Sequence, residues 1–185
     1  MKPNRSWVYA NIVAVIATVA VNGLANALPL NGQTTGAISD RFQVYFTPAG
    51  YVFSISGLIY LALIAFAIYQ ALPAQRENPR LRGIGGLFVL SCLANVAWLF
   101  LWHYEQFTLT VVAMLALLAS LIAIYLRLEI GRGQASWAER AFARVPFSLY
   151  LGWVTVATIA NVTAWLDYLQ WGGWGIGPQA WTVIM

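Results

Sequence analysis

The chain has 185 residues, of which 61% are hydrophobic and only 9% charged, against about 25% charged in an ordinary soluble domain. That balance excludes a soluble monomer. A single cysteine, Cys92, excludes an internal disulfide and a Cys-rich metal site, and within an apolar run it reads as a small buried residue.

Cutting the sequence at every charge and at its one histidine leaves uncharged stretches over 6–39, 42–75, 83–102, 106–126 and 145–166. Each reaches the roughly 20 residues that a helix needs to cross about 30 Å of hydrocarbon. The expected fold is therefore all-α: a polytopic membrane protein, a five-transmembrane-helix bundle forming a single integral membrane domain over 1–185. Its helices are expected at about 7–28, 48–72, 83–102, 107–126 and 146–166, followed by a tail over 167–185.

The first helix imitates a secretory signal, with Lys2 and Arg5 before an apolar run and a small-residue site at Ala25-Asn26-Ala27. The run exceeds the roughly 7 to 15 residues usual for such a signal. Asn11, Ala14, Thr18, Asn22 and Asn26 also recur every three or four positions, a small and polar stripe suited to bundle packing. A retained helix is expected. The segment from Leu30 to Phe46 is too long and polar for a tight turn and is expected to cap whatever the bundle encloses. In "FTPAGYVFSISGLIYLAL", Thr47 supplies an N-cap hydroxyl and Pro48 the first helical position, and Pro73 ends that helix. "PAQRENPRLRG" is a polar turn. The connector "RLEIGRGQASWAERAFARVP" has some helical periodicity and is expected to lie partly along the membrane interface. Trp102, His103 and Tyr104, with Tyr168, Trp171 and Trp174, fit an aromatic belt. The last stretch, "WGGWGIGPQAWTVIM", reads as an interfacial or re-entrant tail or as the start of a sixth helix.

Five crossings place the N-terminus, the 76–82 turn and the 127–144 connector on one side, which collects nine of the ten basic residues and leaves Arg41 opposite. This positive-inside pattern puts the N-terminus in the cytoplasm and the Arg41 loop outside, with the cell inner (plasma) membrane as the expected location. It also explains the formal charge of +4 without a nucleic-acid partner; the lipid bilayer and its anionic headgroups suffice.

Two stripes combine aromatic rings with a carboxamide at mid-membrane depth. Ser91, Asn95, Trp98 and Trp102 share one face of the third helix, and Tyr150, Trp153, Ala157 and Asn161 one face of the fifth. An asparagine in hydrocarbon is costly without a partner, so both stripes face the interior. They are read either as helix-packing residues bonded across an interface or as the walls of a flat cavity for a large planar apolar ligand. Catalytic constellations are nearly absent. Asp40, Glu77, Glu105, Glu129, Glu139 and Asp167 all lie at helix ends or in loops, so no acid/base pair stands within the membrane. His103, the one histidine, reads as interfacial rather than as a ligand to a haem or chlorophyll metal. No metal site and no obligatory cofactor is expected.

Five spans with a long first loop, "FTPAGYVFSISGLIYL", "LANVAWLFLW" around Asn95 and Trp98, and "YLGWVTVATIAN" from Tyr150 to Asn161 together resemble the tryptophan-rich sensory proteins (TspO/MBR). These are relatives of the translocator protein, or peripheral benzodiazepine receptor. The resemblance covers roughly 7–167. It implies a receptor or transport role, acting as sensor, carrier or scavenger, with a porphyrin, haem precursor or other tetrapyrrole bound among the loop-side halves of the helices. It implies a homodimer, and a ligand site at Tyr51, Phe53, Asn95, Trp98, Trp153, Ala157 and Asn161, to which the stripe of the fifth helix adds Tyr150. The chain departs from the family pattern at "PAGY", where a tryptophan is usual in place of Tyr51, and at Ser56, where a second is usual. The alternative reading is a structural or pigment-associated subunit of a larger membrane complex. An oxidative porphyrin-degrading enzyme finds no general acid here.

Overall fold

The computed structural model describes residues 6–42, 44–46 and 48–184. Among these residues the α-helices are α1 Ser6–Ala27, α2 Thr35–Ser39, α3 Ile55–Ala71, α4 Pro79–His103, α5 Phe107–Arg127, α6 Trp137–Glu139, α7 Val145–Tyr168 and α8 Pro178–Ile184. Among the described residues there is no strand, and five helical segments are long and apolar enough to cross a membrane. These are α1, α3 with its preceding 3-10 turn, α4, α5, and α7 with its lead-in. Around the bundle their order is α3, α1, α4, α5, α7, so the first helix lies between the second and third spans. The basic charges before helix α1, Lys2 and Arg5, lie outside the described residues, as does the expected cap Thr47.

Three boundaries differ from those expected, each for a local reason. The second span does not start as an α-helix at Pro48. Gly50–Ser54 form a 3-10 turn, with Ala49 extended before it, and α-geometry begins at Ile55. The third span starts at Pro79 rather than Gly83: the Asn78 side chain accepts from the Arg80 amide at 3.1 Å and Pro79 occupies the first helical position. Cutting the sequence at charges misses this start, because Arg80 and Arg82 ride on the first turn of α4. The connector is not separate from the fifth span, which begins at Trp137 rather than Pro146. Its second half is wound into the fifth span: Ser136 caps Trp137–Glu139, and a π-helical turn, Arg140–Arg144, runs into α7.

That π turn explains the packing of the basic end. A wider turn shifts the register of the side chains that follow it, and Arg144 faces inward with only 8% of its side chain exposed. Its guanidinium donates to Glu139 Oε1 at 3.2 Å and to the carbonyls of Glu129, Gly133 and Gln134. Arg80 from α4 joins the same carboxylate at 3.2 Å and reaches Glu129 at 2.6 Å. One arginine therefore closes the connector on itself, and the other ties it to the neighbouring helix.

Above this network the half of the bundle nearer the basic end is solid. Phe66, Phe88 and Phe147 come from three different spans, are fully buried, and meet edge to face with ring centroids 4.8–5.7 Å apart. Gly85 of α4 lies against Trp7 of α1, whose Cβ and ring would stand 3.3 Å from any added Cβ, so glycine sets the close approach of these two helices.

Replacing Arg144 by leucine leaves Glu139 under-compensated in a buried setting, and the expected cost is about 3 kcal/mol. The exposed Arg82→Leu should shift stability by less than about 0.5 kcal/mol. Thermal unfolding of both variants in detergent checks this; equal midpoints would show that the Arg144 network contributes nothing.

Candidate functional site

The half of the bundle nearer the Leu30–Phe46 loop is hollow. A cavity of about 700 Å³ lies there, lined from all five spans and from the loop. Its volume follows from residue size. Where the other half sends in phenylalanines, α3 here presents Ser56 and Gly57, α1 presents Gly23, and α7 presents Ala157, Ala160 and Ala164. The larger lining residues are flat: Trp98 and Trp102 stack with centroids 5.5 Å apart and planes 18° apart, and Trp153 meets Phe53 edge to face at 6.2 Å.

Two hydrogen-bond chains hold these walls. In the first, Asn22 of α1 donates to Asn95 Oδ1 on α4 at 2.8 Å, and Asn95 donates to the Tyr150 hydroxyl on α7 at 3.0 Å. In the second, Trp98 Nε1 donates to Asn161 Oδ1 on α7 at 3.0 Å, and Asn161 donates to Thr110 Oγ1 on α5 at 2.9 Å. Each chain joins three helices. The two carboxamides are thereby engaged by protein at both ends, and Trp98 is held in one orientation by its own N–H. Trp102 is fixed likewise, its Nε1 donating to the Thr35 carbonyl at 3.2 Å.

A family model for TSPO-like proteins matches residues 7–185. The chain belongs to the TSPO-like family. No curated protein and no solved structure matches it. With the family and the five apolar helices together, this is a multi-pass membrane protein of the TspO type.

Of the eight candidate site residues named from the helix stripes and the family resemblance, the structure brings seven around the cavity: Phe53, Asn95, Trp98, Tyr150, Trp153, Ala157 and Asn161. The eighth is corrected. Tyr51 is 81% exposed and does not line the cavity. Nine residues, about two and a half turns, separate it from the cavity-lining Tyr60, and it sits in the 3-10 turn that precedes α3, so its ring leaves the span in another direction. Tyr60, whose hydroxyl adjoins the Asn95 carboxamide, takes the place in the wall that Tyr51 was expected to fill. The readable signal for it was the spacing from Ser56, four residues earlier on the same face. Asn22 was legible only as a packing residue. Thr110 gave no signal, since one threonine in an apolar helix carries no period.

The aromatic belt expected at Trp102 and His103 is likewise corrected. Trp102 is 4% exposed and His103 fully buried, because the loop folds back over the end of α4. His103 Nδ1 lies 2.8 Å from the Leu99 carbonyl. Since a carbonyl only accepts, Nδ1 carries the proton. The ring is not part of the cavity wall. Among the described residues no group of three His, Cys, Asp or Glu could hold a metal ion.

The loop forms the cavity's cover. Thr35, Ser39, Phe42, Val44 and Phe46 line it from above. The short helix α2 starts at Thr34, whose hydroxyl accepts from the Ala37 amide at 3.2 Å, and Ile38 is fully buried beneath it. Phe42 packs edge to face on Phe107 at 5.1 Å. The cover is pinned to the α4–α5 turn at three points: Asn31 Nδ2 donates to the His103 carbonyl at 2.9 Å, and Arg41 and Gln33 both donate to Glu105 Oε1, at 2.9 and 3.4 Å. From the C-terminal side, Gln179 of α8 donates to the Tyr45 hydroxyl at 3.0 Å. The tail is itself held together by Trp171, Trp174 and Trp181, whose rings contact one another pairwise.

The hydrogen bonds from Arg41 and Gln33 hold the Glu105 carboxyl below the ordinary glutamate range. A lowered folded-state value means that this latch is fully present above the unfolded value and is lost as pH falls through the folded one. Amide exchange in residues 30–42 is therefore expected to accelerate as the carboxyl protonates, and Glu105→Gln should show the faster exchange already at neutral pH. Identical exchange in the variant and the parent at neutral pH would remove the latch from the account.

Proposed function

We propose that this TSPO-like protein binds a porphyrin or similarly flat, apolar molecule in the covered half of its bundle, as a sensor, carrier or scavenger in the cell inner (plasma) membrane. The reading is carried by one observation, a hollow of about 700 Å³ walled by the fixed ring planes of Trp98 and Trp153. That volume lies within the span of roughly 300–1,000 Å³ found for small-molecule sites. Walls of indole suit a planar ligand because stacking adds to burial. The positive-inside distribution supports an N-terminus in the cytoplasm and the Arg41 cover on the far side, so that ligand enters beneath the cover or between helices. Exposed Gly57 and Leu61 of α3 and Gly23 of α1 at the cavity's edge favour the second route. A subunit that presents these aromatic stripes to partner helices is less well supported, because Trp98, Trp102 and Asn161 turn inward.

Titration of the purified protein with a porphyrin, supplied both as protoporphyrin IX and as its dimethyl ester, is expected to quench tryptophan fluorescence saturably for at least one of them. The Trp98→Ala, Trp153→Ala double variant should weaken binding about tenfold, the equivalent of roughly 0.7 kcal/mol for each lost stacking partner. Ala157→Leu, which fills the hollow without removing a hydrogen bond, should weaken it as well while leaving the unfolding midpoint unchanged. Absence of saturable quenching with either form would end this assignment.

A further inference from the structure

The side chains around the cavity share a property that the aromatic walls do not require: among the described residues none of the lining side chains is charged. The polar lining groups are amides and hydroxyls. Of these, Asn95 and Asn161 are engaged by other helices, whereas Ser54, in the turn before α3, and Ser56, on α3, form no side-chain hydrogen bond to a described residue. The uncommitted groups of the wall can thus serve a neutral oxygen but cannot neutralise an anion.

The charges nearest the cover point the same way. Among the described residues the loop end of the bundle carries Asp40, Glu105 and Asp167 against a single cation, Arg41. Arg41 lies 2.9 Å from Glu105 and is not part of the lining. Three carboxylates against one paired guanidinium make the loop end net negative, so a carboxylate meets like charge at that end and no counter-ion inside. The cost of placing an ionised carboxylate in an apolar site without a partner is several kcal/mol. The basic residues that could relieve it, Arg80 and Arg144 among them, belong to the opposite end, beyond the Phe66, Phe88 and Phe147 plug.

We propose that the cavity selects uncharged ligands: flat, carboxylate-free molecules whose keto, ester or hydroxyl oxygen meets the Ser54 and Ser56 hydroxyls while the ring system rests on Trp98 and Trp153. This rests on the ligand-binding reading above and narrows it. A dianionic tetrapyrrole is accepted poorly, and the same ring with its acids masked is accepted well.

The pair of probes that differ only in this respect are protoporphyrin IX, a dicarboxylate at pH 7.5, and its dimethyl ester, titrated into the full chain in a nonionic detergent with empty micelles measured in parallel. The ester is expected to bind at least tenfold more tightly. In Ser54→Arg, which introduces a cation at the exposed rim of the wall, that ratio is expected to fall severalfold through tighter binding of the diacid, with a thermal unfolding midpoint close to the parent's as evidence of folding. Equal affinities in the parent chain, or a preference for the diacid, overturn charge selection while leaving porphyrin binding intact. A preference for the ester that is unchanged in Ser54→Arg reports partition into detergent and overturns it too. If neither probe quenches, the ligand-binding reading itself has failed and charge selection falls with it.

Discussion

A carboxamide placed in hydrocarbon must find its hydrogen bonds within the protein, and the architecture follows from where two of them sit. Asn95 and Asn161 lie within different membrane-spanning helices. Because lipid offers neither donor nor acceptor, each binds a partner on either side, giving Asn22–Asn95–Tyr150 and Trp98–Asn161–Thr110. Between them these links join α1, α4, α5 and α7. Lipid supplies little hydrophobic drive for helix association, so directional links of this kind decide which helix faces go inward. The buried pair Asn11 and Gln70 makes a corresponding link between α1 and α3 at the other end, at 2.9 Å.

Once inward faces are fixed, the size of the residues on them decides what is solid and what is hollow. Toward the basic end those positions hold Phe66, Phe88 and Phe147, and the interior closes. Toward the loop they hold glycine, serine and alanine, and it does not. This contrast was half legible. The Asn-x-x-Trp and Tyr-x-x-Trp stripes identified the right helix faces, and seven of the residues named from them and from the family resemblance surround one space. The size of that space was not legible, because it depends on Gly57, Ala160 and Ala164, which carry no polar or aromatic signal. Nor does periodicity alone separate packing from lining: Asn95 and Asn161 bond across helices and also border the cavity, so the two readings of those stripes describe the same residues.

The misplaced boundaries have a common cause as well. A rule that counts uncharged residues sees hydrocarbon thickness, whereas helix ends are set by capping and by internal ion pairing. Asn78 and Ser136 start helices well inside what a charge count treats as loop, and Arg144 can be drawn inward only because Glu139 and three carbonyls receive it. Tyr51 fails for a related reason: a regular helix beginning at Pro48 and the observed 3-10 turn beginning at Gly50 aim the same side chain differently. Trp102 and His103 were assigned to a lipid boundary because a sequence does not display the loop that folds over them.

The division of labour between the two halves has a physical consequence for how such a bundle can hold a hollow at all. An empty space forfeits dispersion contacts along its lining, and in a membrane protein that loss is not offset by exclusion of apolar groups from water. It has to be borne by parts of the molecule that stay packed. Here the packed half carries the phenylalanine cluster and the Arg80, Glu129, Glu139 and Arg144 network. The open half relies on hydrogen bonds, which fix wall positions without filling volume, and on a cover pinned by polar contacts at exposed residues. Exposed polar contacts are individually weak. The cover is therefore the element around the cavity whose opening costs least; Trp98, held by Asn161 of α7, keeps its orientation when it moves, whereas Trp102 gives up its bond to the Thr35 carbonyl.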